Sequence, residues 1–259
     1  MQTKTLLNKL MASILICFAM THTACKKDDG IAAPQADVLS ASGDSLSIVP
    51  VLNQFRSLLG DSLNTAPGKV GGRREINWDA VPATFQDNNN FPSDFFAQTD
   101  VALPNGRKRG AVFTTPLSND MRISSKSFDD VYTGFAAQFK VFSHRLVFGA
   151  MNGNVIEVSF KVPGQETDAT VKGFGVIFLD VDKEQKTSLE FYDAAGKSLG
   201  KFFAKASDSK FSFLGVKFKD SSLVSKVRIT AGEEGIAAIT SYNDKVGMDD
   251  FLYDEPVAK

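Results

Sequence analysis

Val155-Ile156-Glu157-Val158-Ser159-Phe160-Lys161-Val162 alternates apolar and polar side chains along its length. Ile156, Val158, Phe160 and Val162 share one face, while Glu157, Ser159 and Lys161 share the other, the pattern of a strand with one buried and one wet face. Downstream, Phe174–Val181 is apolar on both faces, which predicts a central strand covered on both sides. Leu189 and Phe191 alternate with Ser188 and Glu190. Asp193-Ala194-Ala195-Gly196 then turns the chain into Leu199–Ala204, a hairpin pattern. Phe211 and Phe213 differ in parity from Val216 and Phe218, so a bulge or tight bend is expected at Gly215. Val227 and Ile229 mark another strand, and Gly247–Asp254 the last, before Pro256.

Upstream, Arg73–Asp79, Ala111–Thr115 and Met121–Ser124 read as short strands. Val81–Val101 reads as a long loop with one helical turn at Ser93–Phe96, capped by Ser93. Val51, Leu52, Phe55, Leu58 and Leu59 recur at helical spacing, but Phe55, Ser57 and Leu59 also fit a strand. About ten to twelve short strands with no long helix between them point to an all-β fold. The expectation is an antiparallel β-sandwich, jelly-roll-like, with a short irregular or helical segment on its N-terminal side. No repeat of fixed period is present, which argues against a propeller or solenoid.

The 259 residues include 22 Phe against 4 Tyr and 1 Trp. Phenylalanine has no polar handle and fills cores, so a broad sandwich interior is expected. A net charge of −1 gives no basis for a nucleic-acid partner.

The N-terminal residues carry an address. Lys4 and Lys9 precede the apolar run Leu10–Met20, which ends at Thr21-His22-Thr23-Ala24-Cys25. A basic start, a short apolar core and a small residue at the cut make 1–24 an export signal. The run is about half of the roughly 20 residues a spanning helix needs. Residues 25–47 are polar and small and read as a tether, leaving 48–259 as a single sandwich domain. Thr23-Ala24-Cys25 resembles the lipobox of bacterial lipoproteins, although His22 stands where that pattern usually has an aliphatic residue. The resemblance implies a Cys25 carrying palmitate-type acyl chains, with the lipid bilayer as partner. Lys26-Lys27-Asp28-Asp29 is similar to the charged tag that sends some of these lipoproteins to the outer face of the outer membrane. Cys17 would leave with the signal, so Cys25 would be alone and no internal disulfide is expected.

From about Phe55 to Tyr253 the chain resembles a family of exported bacterial domains of unassigned function. The segments that carry it are Gly72-Arg73-Arg74-Glu75-Ile76-Asn77-Trp78-Asp79, Phe91–Phe96, Gly173–Asp182 and Phe211–Val216. The later segments, with Met248-Asp249-Asp250-Phe251, are also similar to secreted jelly-roll sugar-binding modules. The resemblance implies a fold and brings no catalytic residues.

Catalytic residues are sparse. His144 would be the one histidine left after export, which leaves a serine-histidine-acid triad little to build on. Zinc sites want several His or Cys ligands that the chain does not supply. Glu75 with Asp79, or Glu190 with Asp193, are the carboxylate pairs a glycosidase would need. Gly173-Phe174-Gly175 lies inside a strand, so it reads as packing rather than phosphate binding. Calcium wants carboxylate, amide and carbonyl oxygens. Its candidate ligands are Asn77, Asp79, Asp249 and Asp250, with Asp180 and Asp182 a second cluster. Trp78, Arg73 and Arg74 are the candidate ligand-binding residues: a ring to stack on a sugar, and two cations for an anionic group or for a structural ion pair. The expectation is therefore a non-catalytic envelope protein binding a glycan or envelope polymer. The alternatives are a structural protein docking a protein partner and a carbohydrate-active hydrolase.

Overall fold

The alternating and doubly apolar segments fold as strands in a computed structural model that describes residues 34–219, 223–240 and 242–259. The expected export signal and Cys25 lie outside the described residues. Along the chain run β1 (Ala36–Gly43), α1 (Ser45–Leu59), β2 (Arg73–Ile76), β3 (Phe96–Ala97), β4 (Lys108–Thr114) and β5 (Met121–Ser124). There follow α2 (Phe135–Gln138), β6 (Val147–Ala150), β7 (Val155–Lys161), β8 (Asp168–Thr170), β9 (Gly173–Val181) and β10 (Ser188–Tyr192). The last are β11 (Ser198–Phe203), β12 (Ser207–Phe218), β13 (Lys226–Thr230), β14 (Gly247–Asp254) and β15 (Val257–Ala258).

The strands form two antiparallel sheets, so the fold is an all-β sandwich as expected. The first is ordered β1-β12-β9-β14-β6-β5, with β2 also on β14. The second is ordered β11-β10-β13-β7-β4-β3, with β8 also on β7 and β15 on β8. From β7 onward the chain passes back and forth between the sheets. Ile156, Val158 and Phe160 of β7 face inward, opposite Phe174, Val176 and Phe178 of β9 in one apolar core.

The first sheet is covered on its outer face too. There Ile48, Leu52, Phe55 and Leu59 of α1, together with Phe128, Phe135 and Phe139, pack on Ile177, Leu179, Phe213 and Leu252. This second layer explains why every residue of β9 is buried. It also settles the ambiguous segment as a helix, because only that geometry brings positions 48, 52, 55 and 59 onto one face. Asp44 caps α1, accepting from the Ser47 N–H at 3.0 Å.

Three expectations are corrected. The described part of the tether contributes β1, which pairs with β12 from Ala36↔Phe218 to Gly43↔Phe211. Its alternating small and apolar residues fit a half-buried edge strand, so the domain begins before residue 48. No bulge occurs at Gly215: β12 runs straight through it, paired to Gly175. The parity change needs no bulge, because Phe211 and Phe213 face α1 while Val216 and Phe218 face the other sheet. The two glycines leave a dent for Phe55, since a Cβ at either would come within 2.7–2.8 Å of its ring. Ser93 to Phe96 forms a turn that enters β3 rather than a helix.

Candidate functional site

Of the register shifts that do occur, those on β12 and β14 each gather carboxylates. On β12, Ser207 pairs with Val181 and Phe211 with Leu179, so residues 208–210 face the single residue Asp180. Asp180 and Ser209 both take left-handed backbone angles, φ 63 and 52. Such bulges re-aim side chains. Here the bulge sets one carboxylate oxygen from each of Asp180, Asp182 and Asp208 within 4.8 Å of one another. The Ser209 N–H donates to Asp180 at 2.6 Å. Burial, opposed by that hydrogen bond and reinforced by Asp182, Asp208 and Asp244, raises the Asp180 pKa to about 7. Burial and Asp208 also raise Asp182. Behind the trio, Asp244 accepts from the Asp182 and Lys183 N–H groups, and burial raises it to about 6. The three carboxylates have the oxygen chemistry to share a proton or a hard cation.

Asp180 and Asp182 form one end of a cleft of about 300 Å³. One wall carries Tyr132, Phe135 and Gln138; the other carries Ile236–Thr240, Asn243 and Lys245. Tyr132 is 68% exposed, with its ring 5.3 Å from that of Phe135. The second wall is fixed by ion pairs. Lys183 donates to Glu233 at 2.5 Å and to the Tyr242 carbonyl at 2.7 Å, and Lys245 donates to Glu234 at 2.7 Å.

The β14 bulge holds the other pair. Met248 pairs with Phe178 and Phe251 with Val176, so Asp249 and Asp250 together oppose Ile177. Neighbouring strand residues normally point to opposite faces. Here both carboxylates reach the same Ser143 hydroxyl, at 2.9 and 2.7 Å. A hydroxyl has one proton to donate, so one carboxyl must itself be protonated to satisfy both contacts. Burial and the neighbouring Asp250 raise the Asp249 pKa to about 8, and burial raises Asp250 also.

The expected calcium set is not assembled. Among the described residues, Asp79, Asp249 and Asp250 form no group able to share an ion. Backbone N–H groups hold one oxygen on each of two of them instead: those of Arg145 and Leu146 on Asp79 Oδ1, those of Phe142 and Ser143 on Asp249 Oδ2, while the buried Asp79 Oδ2 has no partner among the described residues. Asn77 lines a separate cavity.

Trp78 is no stacking platform. It is 1% exposed, stacked on Phe148 at 4.3 Å and edge-on to Phe251 at 5.1 Å. Its indole N–H donates to the Asp249 carbonyl at 2.7 Å. Its φ of 66 and the hydrogen bond from Asp79 to Asn77 mark a γ-turn, a strained form for so large a residue. Arg73 and Arg74 make structural ion pairs, with Glu75 and Glu255. Hydrogen bonds from Arg56 and Arg73 overcome burial and hold the Glu75 carboxyl below its ordinary range.

The remaining candidates have structural roles. Asp193 caps the β10–β11 turn, and His144 is exposed in a turn. Gly173 and Gly175 make room for Leu59 and Phe55. Reading the sequence found Asp180 and Asp182 but not Asp208, and it singled out Trp78 as the stacking aromatic, with Tyr132 only one of four tyrosines beside it. Asp208 joins them only through the bulge, for which Asp-Ser-Lys between two strand-like runs was the available signal.

No family model matches the chain, and no curated protein is found to be similar to it.

Proposed function

We propose that this chain is a lipid-anchored envelope protein whose sandwich binds a glycan or envelope polymer without cutting it. The cleft between Tyr132 and Asn243 carries the reading. It sets an exposed aromatic ring opposite hydroxyl, amide, ammonium and carboxylate groups, carried on loops around the end of β9. A sugar offers the matching surfaces, an apolar C–H face for a ring and hydroxyls for polar groups. Asp180, Asp182 and Asp208 lie side by side rather than across the cleft, which favours holding a ligand or shared charge over flanking a scissile bond. The export signal, Cys25 and Lys26-Lys27-Asp28-Asp29 support the location: acylation at Cys25, on the outer membrane, facing the cell surface. Two or more acyl chains anchor stably where one does not.

The test is affinity electrophoresis of the full chain through a panel of embedded envelope and plant polysaccharides. At least one polymer should retard it, with no release of reducing ends. Tyr132→Ala should weaken that retardation about five- to thirtyfold, as loss of a central aromatic contact does. Retardation by none of the polymers would refute the glycan reading and favour a protein partner. Incorporation of a labelled fatty acid, abolished by Cys25→Ser, tests the anchor separately.

A further inference from the structure

A second cavity, of about 250 Å³, opens where β2 ends, and its lining is mainly apolar. Trp78, Phe95 and Phe96 form its walls, and Asn77, Arg107 and Arg109 supply its polar groups. The arginines differ from others nearby. Arg74 is paired with Glu255, and Arg56 and Arg73 share Glu75. Among the described residues, Arg107 and Arg109 have no carboxylate within salt-bridge distance.

Each is nevertheless held in place by neutral groups. The Arg107 guanidinium lies 3.7 Å from the centre of the Phe95 ring, and its Nε donates to the Phe95 carbonyl at 2.9 Å. Arg109 donates one N–H to the Glu75 carbonyl, and its own carbonyl accepts from the Tyr253 hydroxyl at 3.0 Å. Burial lowers the pKa of both. The charged groups acting on them are Asp94 on Arg107, and Arg74 and Glu75 on Arg109. Glu75 is already engaged by two arginines, and Asp94 acts on Arg107 without contact, so two guanidinium charges face one distant carboxylate and the cavity keeps a net positive charge.

A partly desolvated guanidinium without a counter-ion is costly, and its planar fork suits a carboxylate. We propose that this cavity binds a small carboxylate with an apolar, ring-sized body. The carboxylate would lie on Arg107 and Arg109, and the ring against Pro104 and the edges of Phe95 and Phe96. This site is separate from the Tyr132 cleft and stands without the glycan reading.

Trp78 is the single tryptophan, so its fluorescence reports on this cavity. The full chain is titrated with phenylacetate, phenylacetamide and inorganic phosphate, with calorimetry as a second readout. Phenylacetate should give a saturable change. Phenylacetamide should bind at least about tenfold more weakly, because it lacks the charge that strengthens the hydrogen bonds. Phosphate, lacking the ring, should also be at least about tenfold weaker. Arg107→Gln, on a half-exposed residue, should lower phenylacetate affinity about tenfold while lowering the melting temperature by no more than about 4 °C, the loss of its contacts with Phe95. No saturation by phenylacetate up to about 10 mM would overturn the proposal. So would equal binding of acid and amide in the wild type, whatever the variant does. Phosphate binding as well as phenylacetate would overturn the apolar half of the assignment.

Discussion

Arg74 has no exposed surface, and Glu255 is its counter-charge. Two hydrogen bonds of 2.6 and 2.7 Å join them, Asn64 donates to the same carboxylate, and among the described residues Arg74 Nη1 has no partner. Removing one partner of a buried pair leaves a bare charge, so Glu255→Gln should cost about 3–5 kcal/mol in urea denaturation. A loss under about 1 kcal/mol would mean that solvent reaches the pair. The sequence offered an ion pair as one role for Arg74, but its acid lies 181 residues away, beyond any spacing argument. Asp249 makes a pH prediction. Its folded pKa of about 8 lies above the ordinary carboxylate value, so folding keeps a proton that the unfolded chain loses. That stability is complete below about pH 4 and is lost as pH rises through 8. Asp180, at about 7, and Asp244, at about 6, act with the same sign. The melting temperature should therefore fall between pH 5 and 8.5. Asp249→Asn should flatten the fall, since an amide can accept the two N–H bonds and donate to Ser143. A variant as steep as the wild type would place the proton elsewhere.

At the scale of elements, α1 is fitted to a glycine pair on adjacent strands. Gly175 and Gly215 are directly paired, and both meet the Phe55 ring. Gly175→Ala should cost about 1–3 kcal/mol by overpacking. Phe55→Ala should cost about 3–5 kcal/mol by opening a cavity. Together they should cost less than the sum, because the added methyl fills space that the ring vacates. Strict additivity in denaturant midpoints would show that the dent is not shaped by that contact. The strands β5, β7, β9, β10 and β14 were legible because an alternation or a short apolar run bounded by turn residues is a local signal. The meaning of Gly215 was not, because a cross-strand glycine under a helix looks like a bend when read along one strand. The bulges on β12 and β14 were hidden for the related reason that a bulge is defined against its partner. The Asp249-Asp250 dipeptide was noticed, yet nothing in it said that both side chains share a face.

At the scale of the whole molecule, the chain makes a helical layer outside two sheets. The Phe-rich composition announced a large interior, and those residues fill both the inter-sheet core and the layer under α1. What composition could not announce was that the sandwich takes in a strand ahead of α1. A chain starting at residue 48 lacks β1, the Asp44 cap and the first turn of α1. It should melt at least about 10 °C below one starting at residue 34, since each 1 kcal/mol moves a domain of this size by about 2–4 °C. Equal melting temperatures would make β1 dispensable. The candidate site was half legible at this scale: the acids at the end of β9 stood out, while the aromatic wall opposite comes from a loop some fifty residues earlier. β1 has a mechanical consequence as well. Any pull on the chain ahead of Ala36 enters the sandwich at a sheet edge, along a strand held to β12 over its full length. Force directed along that strand strains the whole ladder at once, whereas force across it opens one pair after another. The grip on the chain is thus set by the direction of the pull.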